Sequence, residues 1–325
     1  MDYTRLGKTG LEVSRLCMGT MSFGTPDDER PWVLGLDDAR PMFRAAWDGG
    51  INFFDTANVY AKGTAEEVTG ACLWDLAPRE EIVLATKVFG RMRPGPNGQG
   101  LSRAAILSEI DNSLRRLGTD YVDLYQIHRH DPFTPYEETM DALDEVVRSG
   151  KARYIGASSM HAWQFQKYQQ AAKDNGLTQF VSMQDEISLV YREEEREMLP
   201  LCREDGIGVL PWSPLGGGML ARPWGEKTDR STTDRHNKSM YDDAAPGVQE
   251  IVKAVSDLAQ ARGVSMAEIA MAWVLHKEGV TSPILGVSKL SHVETGLKAA
   301  ELTLSEDEIA ALEAPYVPQK TRGFA

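Results

Sequence analysis

The sequence predicts an α/β fold: a closed (β/α)8 barrel of the TIM type, with an N-terminal β-hairpin and a long loop after the seventh barrel strand. Three observations lead there. Eight apolar, strand-like runs recur, at residues 14–19, 51–56, 82–88, 122–128, 152–158, 180–186, 207–212 and 283–286. Stretches with helical periodicity separate them. The runs do not alternate cleanly between polar and apolar residues, as expected of parallel strands covered on both faces. No Gly-x-Gly-x-x-Gly follows a strand and the composition never breaks, so a doubly wound sheet is disfavoured and residues 1–325 read as one domain.

Taken in order, residues 3–13 read as a hairpin around Gly7-Lys8-Thr9-Gly10. The Gly-Lys-Thr triplet imitates a phosphate-binding loop, but that motif needs glycine at position 2, which is Asp2, and a preceding strand. Helix starts are signalled by capping boxes at Thr64 with Glu67, Ser265 with Glu268 and Ser305 with Glu308. Thr134-Pro135 reads as a cap followed by proline at the first helical position. In the third helix Ile106, Ile110, Leu114 and Leu117 form one apolar stripe facing the core. Residues 214–247 break the rhythm, being rich in Gly, Thr, Asp and Arg. A loop this long is usually a lid, a binding loop or disordered, and after strand seven it falls on the C-terminal face.

Composition narrows the function classes. The net charge of −13 argues against a nucleic-acid partner, which needs a basic footprint, but leaves room for a small phosphate-bearing ligand at a helix N-terminus. Cys17, Cys72 and Cys202 are widely spaced and odd in number, which suggests neither a disulfide framework nor a Cys-x-x-Cys site. Charges at Asp2, Arg5, Lys8, Glu12 and Arg15 are unlike a signal peptide, and no apolar run approaches the ~18 residues of a membrane span. The expectation is a cytoplasmic protein with no membrane partner; the oligomeric state is left open.

In a barrel the informative positions are the C-terminal strand ends. The second strand ends in Asp55, with Tyr60 five residues beyond; the third runs into Lys87 and the fourth into His128. A structural ion pair would account for Asp55 with Lys87, but not for the histidine and tyrosine that join them. The four types together suit carbonyl reduction. Hydride attack produces an alkoxide that must be protonated as it forms, and a phenol with a pKa of about 10 does this only where its anion is stabilised. A nearby ammonium does that, a carboxylate fixes the ammonium, and a neutral imidazole can polarise the substrate oxygen. Hydride must come from a cofactor, since no side chain supplies it.

Along nearly its whole length the chain resembles the aldo-keto reductases. The residues that carry the likeness are Asn52-Phe53-Phe54-Asp55-Thr56-Ala57 with Tyr60, Thr86-Lys87, Gln126-Ile127-His128, Gly156-Ala157-Ser158, Ser182-Met183-Gln184, Trp212-Ser213-Pro214-Leu215 and the stretch 283–289. The branch suggested is bacterial-type, with similarity to the potassium-channel β subunits. The resemblance implies an NADPH-dependent reductase of aldehydes or ketones, with Tyr60 as proton donor supported by Lys87, Asp55 and His128. It also implies that Ser158 and Gln184 hold the nicotinamide carboxamide, that Trp212 stacks on the ring, and that Gly19, Thr20, Met21 and Asp55 border the cofactor. Ser213, Pro214, Leu215 and Gly217 would line the pyrophosphate. Gly286, Ser288 and Lys289 belong to the last βα connection, where Ser288 and Lys289 would meet the 2′-phosphate and His292 could carry the adenine. Three positions depart from the family pattern: Ser159 replaces a common asparagine, Thr295 and Gly296 replace an acidic residue and asparagine, and Trp212 replaces a tyrosine.

Other readings compete. His128-Arg129-His130-Asp131 could be a metal motif, though no metal is expected. Lys87 could serve as the Schiff-base lysine of an aldolase, since such enzymes are also barrels. A cofactor-binding partner role, as in the channel β subunits, is a further alternative, although that branch lacks the histidine found here as His128. Phe23, Trp32, Phe89 and Trp224 are candidates either for substrate contact or equally for core or lid packing, and Arg91 and Arg93 could welcome a phosphate or carboxylate.

Overall fold

The structure, a computed structural model, describes residues 1–28, 30–226, 240–241 and 245–324. Most of the irregular stretch 214–247 lies outside the described residues. The hairpin pairs β1 (Tyr3–Arg5) with β2 (Glu12–Ser14). Eight parallel strands follow: β3 (Cys17–Gly19), β4 (Phe53–Asp55), β5 (Val83–Val88), β6 (Val122–Ile127), β7 (Ala152–Ser158), β8 (Ser182–Gln184), β9 (Gly208–Val209) and β10 (Ile284–Gly286). Each pairs with its sequence neighbour, and β10 returns to pair with β3. Between β9 and β10 the ring closes through Thr281 N–H to Val209 O (2.9 Å) and Ile284 N–H to Pro211 O (2.7 Å). This is the expected (β/α)8 barrel.

All eight expected strand positions are occupied, most over shorter spans. The first expected run is divided: Ser14 ends the hairpin, and the barrel strand begins only at Cys17. Alternation then sorts the side chains. Cys17, Phe53, Val83, Ala85, Leu124, Leu210 and Ile284 form an inner core, capped from below by Leu6 and Val13 of the hairpin. Phe54 faces outward and stacks on Phe43, centroids 5.7 Å apart, on α1 (Leu36–Asp48). Gly7 lies at the plug, with φ +56°; a Cβ there would come within 2.5 Å of Gly206 O and 2.7 Å of Gly208 N at the foot of β9, so only glycine fits.

The outer layer comprises α2 (Thr64–Leu73), α3 (Arg103–Leu117), α4 (Tyr136–Arg148), α5 (Ala162–Asp174), α6 (Met198–Asp205), α7 (Val248–Arg262), α8 (Met266–His276), α9 (Leu290–Glu301) and α10 (Glu306–Glu313). The stripe Ile106, Ile110, Leu114, Leu117 is buried. Capping boxes form at Ser265 with Glu268 and at Ser305 with Glu308. Two expected caps do not form. Thr64 lies inside α2, whose cap is Gly63; its hydroxyl donates to Ala61 O (2.9 Å) and accepts from Thr25 N–H (2.8 Å). Thr134 turns its hydroxyl to Asp131 Oδ2 (2.9 Å), so Pro135 takes the cap position of α4. Thr64 is drawn off by Thr25, 39 residues away, whereas Thr134 turns to a carboxylate only three residues upstream. Among the described residues no helix is long and apolar enough to cross a membrane.

Candidate active site

Asp55, Lys87, Gln126 and Gln184 share one parity on β4, β5, β6 and β8: Asp55 pairs with Ala85, Lys87 with Gln126, Gln126 with Gly156 and Ser158 with Gln184, so all four face into the mouth of the barrel, where their side chains meet. Lys87 is fully buried. Its ammonium donates to Asp55 Oδ2 (2.5 Å), Thr56 O (2.8 Å) and Tyr60 Oη (3.4 Å). Asp55 Oδ1 accepts from Gln126 Nε2 (3.1 Å) and Gln184 Nε2 (3.0 Å), so its two oxygens satisfy three donors. Burial, the largest influence on Lys87, lowers its pKa, but Asp55 and then Tyr60 outweigh it and hold the ammonium above its ordinary range. The His128 ring meets Tyr60 edge-on, centroids 5.7 Å apart at 81°. The four expected residues are therefore brought together.

Tyr60 is presented by a strained turn. Ala61 and Lys62 both hold left-handed dihedrals (φ 45° and 56°), which cost non-glycine residues of order 1 kcal/mol each. Ala61 is tied down by packing with Val33 and Ala65, and Trp32 and Tyr60 pack on that cluster.

The expected cofactor residues lie around the same mouth. Gly19 ends β3, and a Cβ there would come within 2.6 Å of Ile284 Cγ2. Thr20 is buried and donates to Asp55 O through its amide (2.9 Å), while Met21 is exposed. The Ser158 hydroxyl donates to Gln184 O (2.8 Å) and shares a hydrogen bond with the Ser159 hydroxyl (3.2 Å). Trp212 Nε1 donates to Ser159 Oγ (3.0 Å). Ser159 and Ser213 both have φ 50°. Pro214 and Leu215 lead into a 3-10 stretch, Gly216–Ala221, in which Gly217 has φ 63°. Gly286 ends β10, Ser288 N–H donates to His292 Nδ1 (3.3 Å), and Lys289 is the N-cap residue of α9. Gln184 has its amide nitrogen committed to Asp55, an involvement the sequence reading did not foresee.

The substrate candidates divide between core and surface. Phe23 is wholly buried and packs on Phe43 (5.4 Å), so it is core. Arg91 donates to Arg93 O and Gly95 O, and Arg93 to Pro96 O and Asn97 O, so both guanidiniums brace their own exposed loop. Trp32 stays beside Tyr60, Phe89 is half-buried after β5, and Trp224 is exposed. His130 points away from His128; its Nδ1 lies 3.1 Å from Tyr168 Oη and its ring stacks on Tyr136.

Four polar residues were missed. Gln126 shares the parity of His128, two residues on, and alternation alone could have placed it. Arg129 and Asp185 carry no such signal. Asp185 is fully buried: Oδ1 accepts from Ser159 N–H (3.0 Å), Oδ2 has no partner, and burial pushes its pKa up to about 7, against hydrogen bonding by Ser159 and the charge of Arg129. Glu186, also buried, is held by Arg322 from the C-terminal segment at 2.9 and 3.1 Å. That segment brings Gly323 against the Trp212 ring and Phe324 edge-on to His161 (4.7 Å).

Comparison with known proteins agrees with this architecture. Residues 15–316 match the Aldo/keto reductase family. The chain is 41% identical to the versiconal hemiacetal acetate reductase of Aspergillus parasiticus, over 98% of each chain. It is 42% identical to a putative aryl-alcohol dehydrogenase of Schizosaccharomyces pombe, over 99% of this chain and 97% of the other, and 40% identical to an aldo-keto reductase of Fusarium vanettenii, over 100% and 94%. The chain belongs to the aldo/keto reductase family. These relatives are fungal, which does not support the bacterial-type, channel-subunit-like branch expected from the sequence.

Proposed function

We propose that this protein is a cytoplasmic, NADPH-dependent reductase of aldehydes and ketones, built as a single domain over residues 1–325, with Tyr60 as the proton donor. The observation that carries the reading is the Lys87 ammonium, buried between Asp55 and the Tyr60 hydroxyl. When Tyr60 gives its proton to the alkoxide oxygen, the phenolate left behind has an ammonium at hand to stabilise it. Asp55, accepting from Lys87, Gln126 and Gln184, keeps that ammonium in place and charged. His128, whose ring meets Tyr60 edge-on, would donate to the same substrate oxygen.

The residues around the mouth fit a nicotinamide dinucleotide. The half-buried indole of Trp212 offers a flat surface with the hydroxyls of Ser158, Ser159 and Ser213 near it, and the start of α9 offers Ser288, Lys289 and His292 to a phosphate and adenine. Gly19, Thr20, Met21, Pro214, Leu215, Gly217 and Gly286 would form the cofactor's backbone-lined path. NADPH supplies the hydride when bound. Since Gln184 donates its amide nitrogen to Asp55, contact with the carboxamide falls to its oxygen and to Ser158. The names of the relatives, a hemiacetal acetate reductase and a putative aryl-alcohol dehydrogenase, support carbonyl chemistry, the second of them on an aryl substrate.

A Schiff-base role for Lys87 is disfavoured, because a lysine held above its ordinary pKa and saturated with acceptors is a poor nucleophile. The test is Tyr60→Phe. With benzaldehyde, the variant should lose about 10²–10⁴ of NADPH oxidation rate while NADPH binding, followed by nucleotide fluorescence, stays within a few-fold of native. Retained turnover would refute Tyr60 as the acid.

A further inference from the structure

Arg129 is a charged group beside His128 that the chemistry above leaves unused. It directly follows His128 at the end of β6 and is half-buried; burial lowers its pKa, and the charges of Tyr60 and Asp185 act against that. Its hydrogen bond runs back to its own chain, Nη1–H to His128 O at 2.6 Å. A guanidinium has five N–H donors, and Arg129 forms no ion pair among the described residues, whereas the other cations nearby are committed. Lys87 is held by Asp55, Arg322 by Glu186, and Arg91 and Arg93 by loop carbonyls. Asp185, the carboxylate whose charge Arg129 senses, uses Oδ1 on Ser159 and keeps Oδ2 enclosed without a partner. Burial favours its neutral form, so it compensates Arg129 poorly. Within a chain of net charge −13, the end of β6 therefore holds, directly after His128, a guanidinium that forms no ion pair among the described residues.

We propose that Arg129 is a specificity-determining residue that receives an anionic oxygen of the substrate, and that the preferred substrates are aryl aldehydes bearing a carboxylate. This rests on the reductase reading above. The planar fork of arginine matches a carboxylate with two parallel hydrogen bonds, and in a partly desolvated site such a pair gains strength. The aromatic part of the ligand has Trp32 beside Tyr60, and Trp212 at the same mouth, to lie against.

Two measurements test this on the full chain. Benzoate binding to the protein saturated with NADP+ is measured by calorimetry for the native protein, Arg129→Met and Arg129→Lys, and kcat/KM is compared for 3-carboxybenzaldehyde and benzaldehyde. Loss of a charge-assisted pair is expected to weaken benzoate by about ten- to a hundred-fold in Arg129→Met, with Arg129→Lys between. The preference for the carboxylated aldehyde should fall by a similar factor, chiefly through KM. If Arg129→Met does not fold, as judged by circular dichroism and NADPH binding, Arg129→Gln replaces it. Equal benzoate affinity in native and variant proteins, or no benzoate binding at all, overturns the proposal. If the native protein reduces neither aldehyde, the reductase reading falls, and the benzoate comparison still decides the role of Arg129.

Discussion

Asp55→Asn removes one charge from the centre of the barrel while keeping its shape. In the native protein Asp55 Oδ2 lies 2.5 Å from the Lys87 ammonium, and both side chains are almost wholly buried. Two unit charges about 4 Å apart in surroundings of effective dielectric ~20 attract by about 4 kcal/mol. Breaking one side of a buried pair typically costs about 3–5 kcal/mol, because the other charge stays buried without compensation. At about 2 °C per kcal/mol for a chain of this size, the melting temperature should fall by about 6–10 °C. The pH behaviour follows from Lys87. Its pKa is raised in the fold, so the contribution of the pair is fully present below the unfolded lysine value of about 10.4 and is lost as pH rises through the folded value. Without the Asp55 charge, burial dominates and the lysine pKa falls, so the alkaline limb of activity should move to lower pH. Adding Lys87→Met removes the orphan charge, and the double variant should recover much of the lost stability, though not the activity. Thermal melts, urea titration and a kcat–pH profile read these effects. A loss under about 1 kcal/mol in Asp55→Asn, or a double variant as unstable as the sum of the singles, would refute the reasoning.

Two further outcomes follow from burial and packing. Asp185 titrates near 7 in the fold because burial penalises its charge, so its favourable contribution is present below about pH 4 and is lost as pH rises through about 7; Asp185→Asn should therefore stabilise the protein by about 2–4 kcal/mol at pH 8 and by little at pH 4, measured by urea unfolding at both. Gly70→Ala should cost about 1–3 kcal/mol, since the new Cβ would lie 2.1 Å from Leu117 O where α2 crosses the end of α3; an unchanged melting temperature would show that the two helices separate at no cost.

Much of this molecule is governed by short-range regularities that a sequence displays. Strand parity is local: once Phe53 faces the inner core, Asp55 must follow it inward, and Gln126 and His128 share one face for the same reason. Because β4, β5 and β6 are sequential neighbours in the barrel, Asp55, Lys87 and His128 converge without any knowledge of how the ring closes. The caps at Ser265 and Ser305 are equally local. Tertiary structure alone decided what depends on partners distant in sequence. Thr64 is held away from helix capping by the Thr25 amide, 39 residues away in sequence. Phe23 went to the core against Phe43. Gln184 crosses the barrel to Asp55, 129 residues away in sequence, and Arg322 returns from the C-terminal segment to Glu186. A hydrogen bond or ion pair acts over a few ångströms, and closure of the ring is what brings such residues within that range.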